Sequence, residues 1–247
     1  MSQNYTSFYI ALRYLKGRKS GFLSFISALS FISTSLGVAV LIIVSSVMNG
    51  FEQELKDRVL NVIPHASIYG LNPIDNWETV EINLSEDANI RGISPYIETE
   101  ALIKSKSAVA GVLVNGVIAS KDKSVSVIHE FMQTGNFEKI QTDNNIVIGR
   151  LLARKLNVDV GDKISLMLPD TSSSFAGYFP RSKVFNISGI FNIGSKDIDE
   201  TLAYISLENA SILTGLKNQV HGFRLKFDDL FEAPYLVWQS LIFAEKN

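Results

Sequence analysis

The stretch GFLSFISALSFISTSLGVAVLIIVSSVMNG, residues 21–50, decides how the rest of the chain is read. No Asp, Glu, Lys or Arg interrupts it, and residues 36–47 are apolar apart from Ser45 and Ser46. A helix needs roughly 20 apolar residues to cross the hydrocarbon core of a bilayer, so this run is long enough to span. Arg13, Lys16, Arg18 and Lys19 precede it, and the first acidic residue of the chain is Glu52. Lys and Arg accumulate on the cytoplasmic side, which predicts the N-terminus inside and everything after Gly50 across the membrane. A cleaved signal peptide has an apolar region of roughly 7–15 residues, about half the length found here, and Ser46-Val47-Met48-Asn49 is a poor cleavage site. A buried helix of a soluble protein fits worse, because no second segment of similar character is present to cover it.

The chain has 247 residues and a formal charge of -2. Its first twenty residues hold four positive charges and no negative one, so the remainder carries a net -6. An acidic outer region argues against nucleic acid as a partner, which calls for a basic face. There is no cysteine, which excludes disulfides and thiolate metal sites. The expected organisation is a cytoplasmic interfacial segment at 1–20, amphipathic over 5–15, then a transmembrane helix at 21–48. An outer domain at 49–231 and a C-terminal tail at 232–247 follow.

Within the spanning helix Ser30, Thr34, Gly37, Leu41, Val44 and Met48 recur at three- and four-residue spacing. Small and hydroxyl residues in such a stripe allow close helix packing in membranes. Beyond it Phe51, Leu55, Val59 and Val62 share a face, Glu54 and Arg58 pair on another, and Asn49 with Glu52 has the spacing of a helix-starting box. Pro64 stops this helix.

A β-rich region follows. Strands are expected at 66–69, 97–106, 108–119, 146–148, 163–168, 184–191, 202–206 and 220–227, and helices at 125–132, 149–156 and 207–213. The runs 97–106 and 108–119, separated by Ser107, are either a hairpin or one bent strand. The mixed order predicts an α+β fold: one N-terminal transmembrane helix, then a two-lobed mixed α+β domain beyond the membrane.

Chemistry-bearing motifs are missing. No Gly-rich phosphate loop and no Gly-x-Ser-x-Gly elbow occurs, and His65, His129 and His221 lack metal-ligand spacing. Asp197, Asp199 and Glu200 read as a solvated loop between strands. No enzyme, cofactor or metal site is expected. The feature that does suggest a function is PDTSSSFAGYFPRSK, residues 169–183, which joins two strands and is too long for a minimal hairpin turn. Phe175, Tyr178 and Phe179 gather there with Ala176, Gly177 and Pro180, and Arg181 and Lys183 close it. Aromatics on a protruding loop call for a partner surface unless they fold back as a small satellite core.

FYIALRYLKGRK, SFISTSLGVAVLIIVSSVMNGFEQEL and VIPHA resemble the permeases of the lipoprotein-releasing ABC transporter, the LolC/LolE family of Gram-negative bacteria. NNIVIGRLLARKLNVDVGDKISLMLP followed by VFNISGIF resembles the outer domain shared by that family and the macrolide-exporter permeases. The resemblance implies an inner-membrane subunit working with a second homologous permease and a cytoplasmic ABC ATPase dimer. Together they would extract lipoprotein substrates from the membrane lipid and pass them to a periplasmic carrier. It further implies a carrier-docking hook at Phe175, Ala176, Gly177, Tyr178, Phe179 and Pro180. Of these, Phe175, Gly177 and Pro180 match the family's pattern. Arg181 and Lys183 would stand at a basic pad, and Val44 and Met48 near the lipid. Family members continue with three more spanning helices, and residues 236–243 are too short to span, so the chain reads as truncated before a second one. Other classes kept open are a macrolide- or peptide-exporter permease and a single-pass anchored binding or scaffold domain.

Overall fold

The computed structural model describes residues 21–55, 64, 66–87, 89–168 and 181–227, with a few isolated positions nearer the N-terminus. It divides into two compact units, 1–55 and 56–247.

The first unit is dominated by α1 (Gly21–Leu55). Its stretch Phe25–Glu52 is 28 residues with a mean hydropathy of 2.2, long and apolar enough to cross a membrane. Leu36, Leu41, Val44 and Met48 are all exposed. A helix apolar all round is suited to lipid or to neighbouring helices rather than to water. Thr34 donates its hydroxyl to the Ser30 carbonyl at 2.9 Å, which satisfies it inside the helix. One expectation is corrected here: Asn49 and Glu52 start no helix, because α1 runs through both without a break. Apolar side chains on both sides of Asn49 carry the helix on, so the box spacing has no free N-terminus to cap. Of the interfacial helix at 5–15 only Thr6, Tyr9, Ile10 and Arg13 are described, each helical, and the Glu54–Arg58 pair, Val59, Val62, His65 and the tail at 232–247 lie outside what is described.

The second unit is built on nine strands: β1 (Ala66–Ile74), β2 (Ile90–Lys104), β3 (Val109–Val117), β4 (Met132–Gly135), β5 (Asn145–Gly149), β6 (Lys163–Met167), β7 (Ser182–Phe191), β8 (Leu202–Ser206) and β9 (Val220–Phe227). The helices are α2 (Trp77–Ser85), α3 (Ala119–Val125), α4 (Arg150–Leu156), α5 (Lys196–Thr201) and α6 (Leu207–Thr214). The fold is mixed α+β. The two long runs after Pro95 are a hairpin: β2 and β3 pair antiparallel from Tyr96↔Val117 to Lys104↔Val109. The expected helix at 125–132 is instead the end of α3, a 3-10 turn at Ile128–Phe131 and the start of β4.

The pairings close a ring. β2 pairs β3, β3 runs parallel to β8, β8 pairs β5, β5 runs parallel to β7, β7 pairs β6, and β6 returns to β2 through Leu102↔Met167 and Lys104↔Ser165. Closure removes free edges among these strands. Alternate side chains point inward: Ile97, Ala101 and Ile103, Val112 and Val114, Ile146 and Ile148, Ile164 and Leu166, Phe185 and Ile187, Ala203 and Ile205 form one buried cluster. Leu152 and Leu156 of α4 and Leu213 of α6 join it. This period-two filling is what a small barrel requires.

β2 is long enough to leave the barrel. Its first half pairs β9, which pairs β1, and α2 covers this wing through Trp77 and Leu84 against Phe223, Leu225 and Phe227. A third cluster, with Tyr204 edge-on to Phe137 and Phe191 at 5.5 and 6.0 Å, lies under α3 and the 3-10 turns. The acidic run at Asp197–Glu200 is corrected as well. It belongs to α5, and Asp199 is buried, its carboxylate accepting the N–H groups of Ile193 and Gly194, each at 2.9 Å. Buried backbone donors at a tight turn need an acceptor, and Asp199 supplies it. Glu200 takes Lys155 of α4 at 2.7 Å.

Candidate functional site

The strands flanking the aromatic segment set its root. β6 and β7 pair antiparallel up to Met167↔Ser182, and the Leu168 N–H donates to the Arg181 carbonyl at 2.9 Å. Residues 169–180 thus connect two paired strands. Phe175, Ala176, Gly177, Tyr178, Phe179 and Pro180 lie outside the described residues.

The two basic residues are described, and both reach α6. Arg181 Nη1 donates to the Thr214 carbonyl at 2.5 Å, at the C-terminal end of that helix, where a cation meets the negative end of the helix dipole. Gly215 ends α6 with φ of 82°, and a Cβ built there would sit 2.1 Å from Arg181 Nη1. Glycine suits the left-handed turn, and the tip of the exposed Arg181 side chain lies against it. Lys183 Nζ donates to Asn209 Oδ1 at 2.6 Å and lies 5.9 Å from the Phe185 ring centroid. Asn209 is buried, donates Nδ2 to the Asp143 carbonyl at 3.0 Å, and donates its backbone N–H to Ser206 Oγ, the N-cap of α6. The loop root is bonded to β6 on one side and to α6 on the other.

Val44 and Met48 lie on α1 and are 59% and 64% exposed.

A polar cluster that the sequence did not announce lies where β9 crosses β2. Arg224 is 6% exposed. Its Nη2 donates to Asn115 Oδ1 at 2.5 Å and stands 3.5 Å from Glu98 Oε2, and its guanidinium lies 4.8 Å from the Tyr96 ring centroid. Asp122 of α3 is fully buried, with Oδ1 3.7 Å from Arg224 Nη1, an ion pair too long for a hydrogen bond. Burial raises the Asp122 carboxyl to about 6, and Arg224 offsets only part of that cost. Burial likewise raises the Tyr204 and Tyr96 hydroxyls. His221 accepts the Glu98 N–H through Nδ1 at 3.1 Å, which fixes its other nitrogen as the donor. Glu98, Asn115, Tyr204 and Arg224 line a cleft of about 300 Å³. Among the described residues no group of three His, Asp or Glu side chains could hold a metal ion.

A family model described as the MacB-like periplasmic core domain matches residues 27–230. The chain belongs to this family. Among curated relatives, the lipoprotein-releasing system transmembrane protein LolC of Neisseria meningitidis serogroup B is 37% identical over 245 residues, covering 97% of this chain and 58% of that protein. LolC of Xylella fastidiosa strain Temecula1 is 35% identical over 227 residues, covering 91% and 54%. LolE of Haemophilus influenzae is 34% identical over 238 residues, covering 94% and 57%. LolC of the same Haemophilus strain stands at 32%, so identity does not separate the two subunit types. The chain spans a little over half the length of these relatives. The solved extracellular domain of YknZ, an ABC-type transporter of Gram-positive bacteria, has a TM-score of 0.45 at 8% identity, covering 68% of this chain and 78% of that one. That likeness is too loose to carry a residue-level argument. Membership of the MacB-like core family accounts for an apolar helix followed by a sheet-rich domain.

Proposed function

We propose that this chain is part of a permease subunit of an ABC transporter that releases lipoproteins from the inner membrane and passes them to a periplasmic carrier. The N-terminus is cytoplasmic and the sheet domain periplasmic. ATP hydrolysis belongs to a separate cytoplasmic ATPase dimer, and a second homologous permease completes the complex. Three relatives carrying lipoprotein-releasing names, at 34–37% identity over nearly the whole chain, support the reading. The observation that carries it is the pairing of β6 with β7, two strands between which the sequence places Phe175, Tyr178 and Phe179. Aromatic side chains gain free energy in a partner's apolar pocket, and an acyl-chain carrier offers one. In this reading Phe175 to Pro180 form the docking hook, and Val44 and Met48 face the lipid that holds the substrate.

The test is a photo-crosslinker in place of Phe179 in living cells. Capture of a soluble periplasmic protein that binds acyl chains is expected. Capture of a membrane-fused periplasmic adaptor instead would move the chain to the macrolide-exporter class. No captured partner in the periplasm would leave an anchored scaffold.

A further inference from the structure

We infer that the outward face of the barrel, where β2, β3 and β8 run side by side, is a docking groove for an extended segment of a partner protein. That segment carries two apolar residues and a basic one, each two positions from the next. The inference is independent of the carrier-docking reading above. The register across the three strands sets side chains in rows. Glu98, Asn115 and Tyr204 form the first, Glu100, Leu113 and Leu202 the second, and Leu102 with Gly111 the third. Their chain neighbours Ile97, Ile103, Val114 and Ile205 point into the barrel, so the rows face outward. The cleft of about 300 Å³ over the first row continues into one of about 510 Å³ over the other two, since Leu113 and Thr201 line both. A Cβ built on Gly111 would meet nothing within 4 Å, so the third row is an open dip beside Leu102, which is 44% exposed. Charge selects the occupant of this apolar floor. Glu98, Glu100 and Asp197 line the two clefts against one guanidinium, Arg224, which is buried and already held by Asn115 with Asp122 behind it. The rim is therefore net negative, which disfavours acidic surfaces and anionic lipid and attracts a basic group. Residues two apart on an extended chain lie ~7 Å apart on one face, which matches the step from row to row along β2. Such a chain sets its apolar side chains over the third and second rows and its basic one at the first, beside Glu98.

The probe is a fluorescein-labelled peptide, Val-Thr-Val-Thr-Lys, read by fluorescence anisotropy against the full chain in non-ionic detergent. Saturable binding is expected, and it should be lost when Glu replaces the peptide's Lys. Gly111→Leu fills the third row without a clash, and Glu100→Lys reverses one charge of the rim. Each should weaken binding about tenfold, with circular dichroism showing that the variants are folded. Equal binding of the Lys and Glu peptides overturns the inference, as does binding at parental strength by either folded variant or no binding by the parent chain. Displacement of the bound peptide by phosphatidylcholine overturns it as well, because the groove would then take lipid.

Discussion

Asp122 makes the domain's stability depend on pH in an unusual direction. Its carboxyl is fully buried on α3, neither oxygen has a hydrogen-bond partner among the described residues, and its folded pKa rises from 3.8 to about 6. The folded state therefore holds the proton more tightly than the unfolded one. The stabilisation is complete below 3.8 and is lost between 3.8 and about 6, as the unfolded carboxyl ionises first. About two units at 1.36 kcal/mol each set the loss at most at about 3 kcal/mol. Asp122→Asn keeps the shape and cannot ionise, so it removes this loss, while Arg224 keeps Asn115 and Glu98. The assay is denaturant unfolding of the chain in non-ionic detergent, followed by tryptophan fluorescence with Trp238 changed to Phe so that Trp77 alone reports, at several values between pH 4 and 8. The variant should match the parent near pH 4 and become progressively more stable than it up to pH 7. Parallel curves for the two proteins would refute the reasoning, as would a variant that falls further behind as pH rises.

Other expectations follow from single contacts. Gly116 faces α6, and a Cβ there would lie 2.1 Å from Ala210 Cβ, so Gly116→Ala should destabilise the domain by about 1–3 kcal/mol in the same unfolding assay. Ser206→Ala removes the N-cap of α6 and should cost about 1 kcal/mol. A periplasm-active reporter fused after Phe227 should be active, and activity only in the cytoplasm would reverse the orientation. A photo-crosslinker at Met48 should capture lipoprotein in the assembled transporter while one at Ile43 captures bulk lipid, and equal labelling would reduce the α1 stripe to a plain anchor.

Much of the strand content was legible because alternation survives burial in a small barrel. β8 and β9 have the bounds expected from their apolar pattern, 202–206 and 220–227. Closure was not legible, since it depends on β6 meeting β2 through three residue pairs far apart in sequence. β1 reaches Ile74, past the expected 66–69 and through Gly70 and Pro73. The strand is bulged between Tyr69 and Ile74, which absorbs both residues. α2 went unread because only Trp77 and Leu84 of its residues are buried, two turns apart and amid β-branched neighbours. Asp199 read as solvated because its two backbone donors come from a turn that sequence alone does not fold. Arg224 is hidden in an apolar strand by the same logic, since its partners Asn115, Glu98 and Asp122 sit on three other elements. At the candidate site, residue types were readable but not their commitments. Arg181 and Lys183 stand out as basic, and only the fold reveals that α6 holds both.

The central claim is that the 169–180 loop docks a periplasmic lipoprotein carrier through its aromatics. The direct measurement is the affinity of that carrier for the chain with Phe175, Tyr178 and Phe179 all changed to alanine, with circular dichroism confirming that the variant is folded. Buried aromatic anchors contribute on the order of 2 kcal/mol each, so loss of one alone weakens binding roughly thirtyfold. The account predicts that a folded triple variant no longer binds at concentrations that saturate the parent. Carrier binding at parental strength by that variant would contradict it.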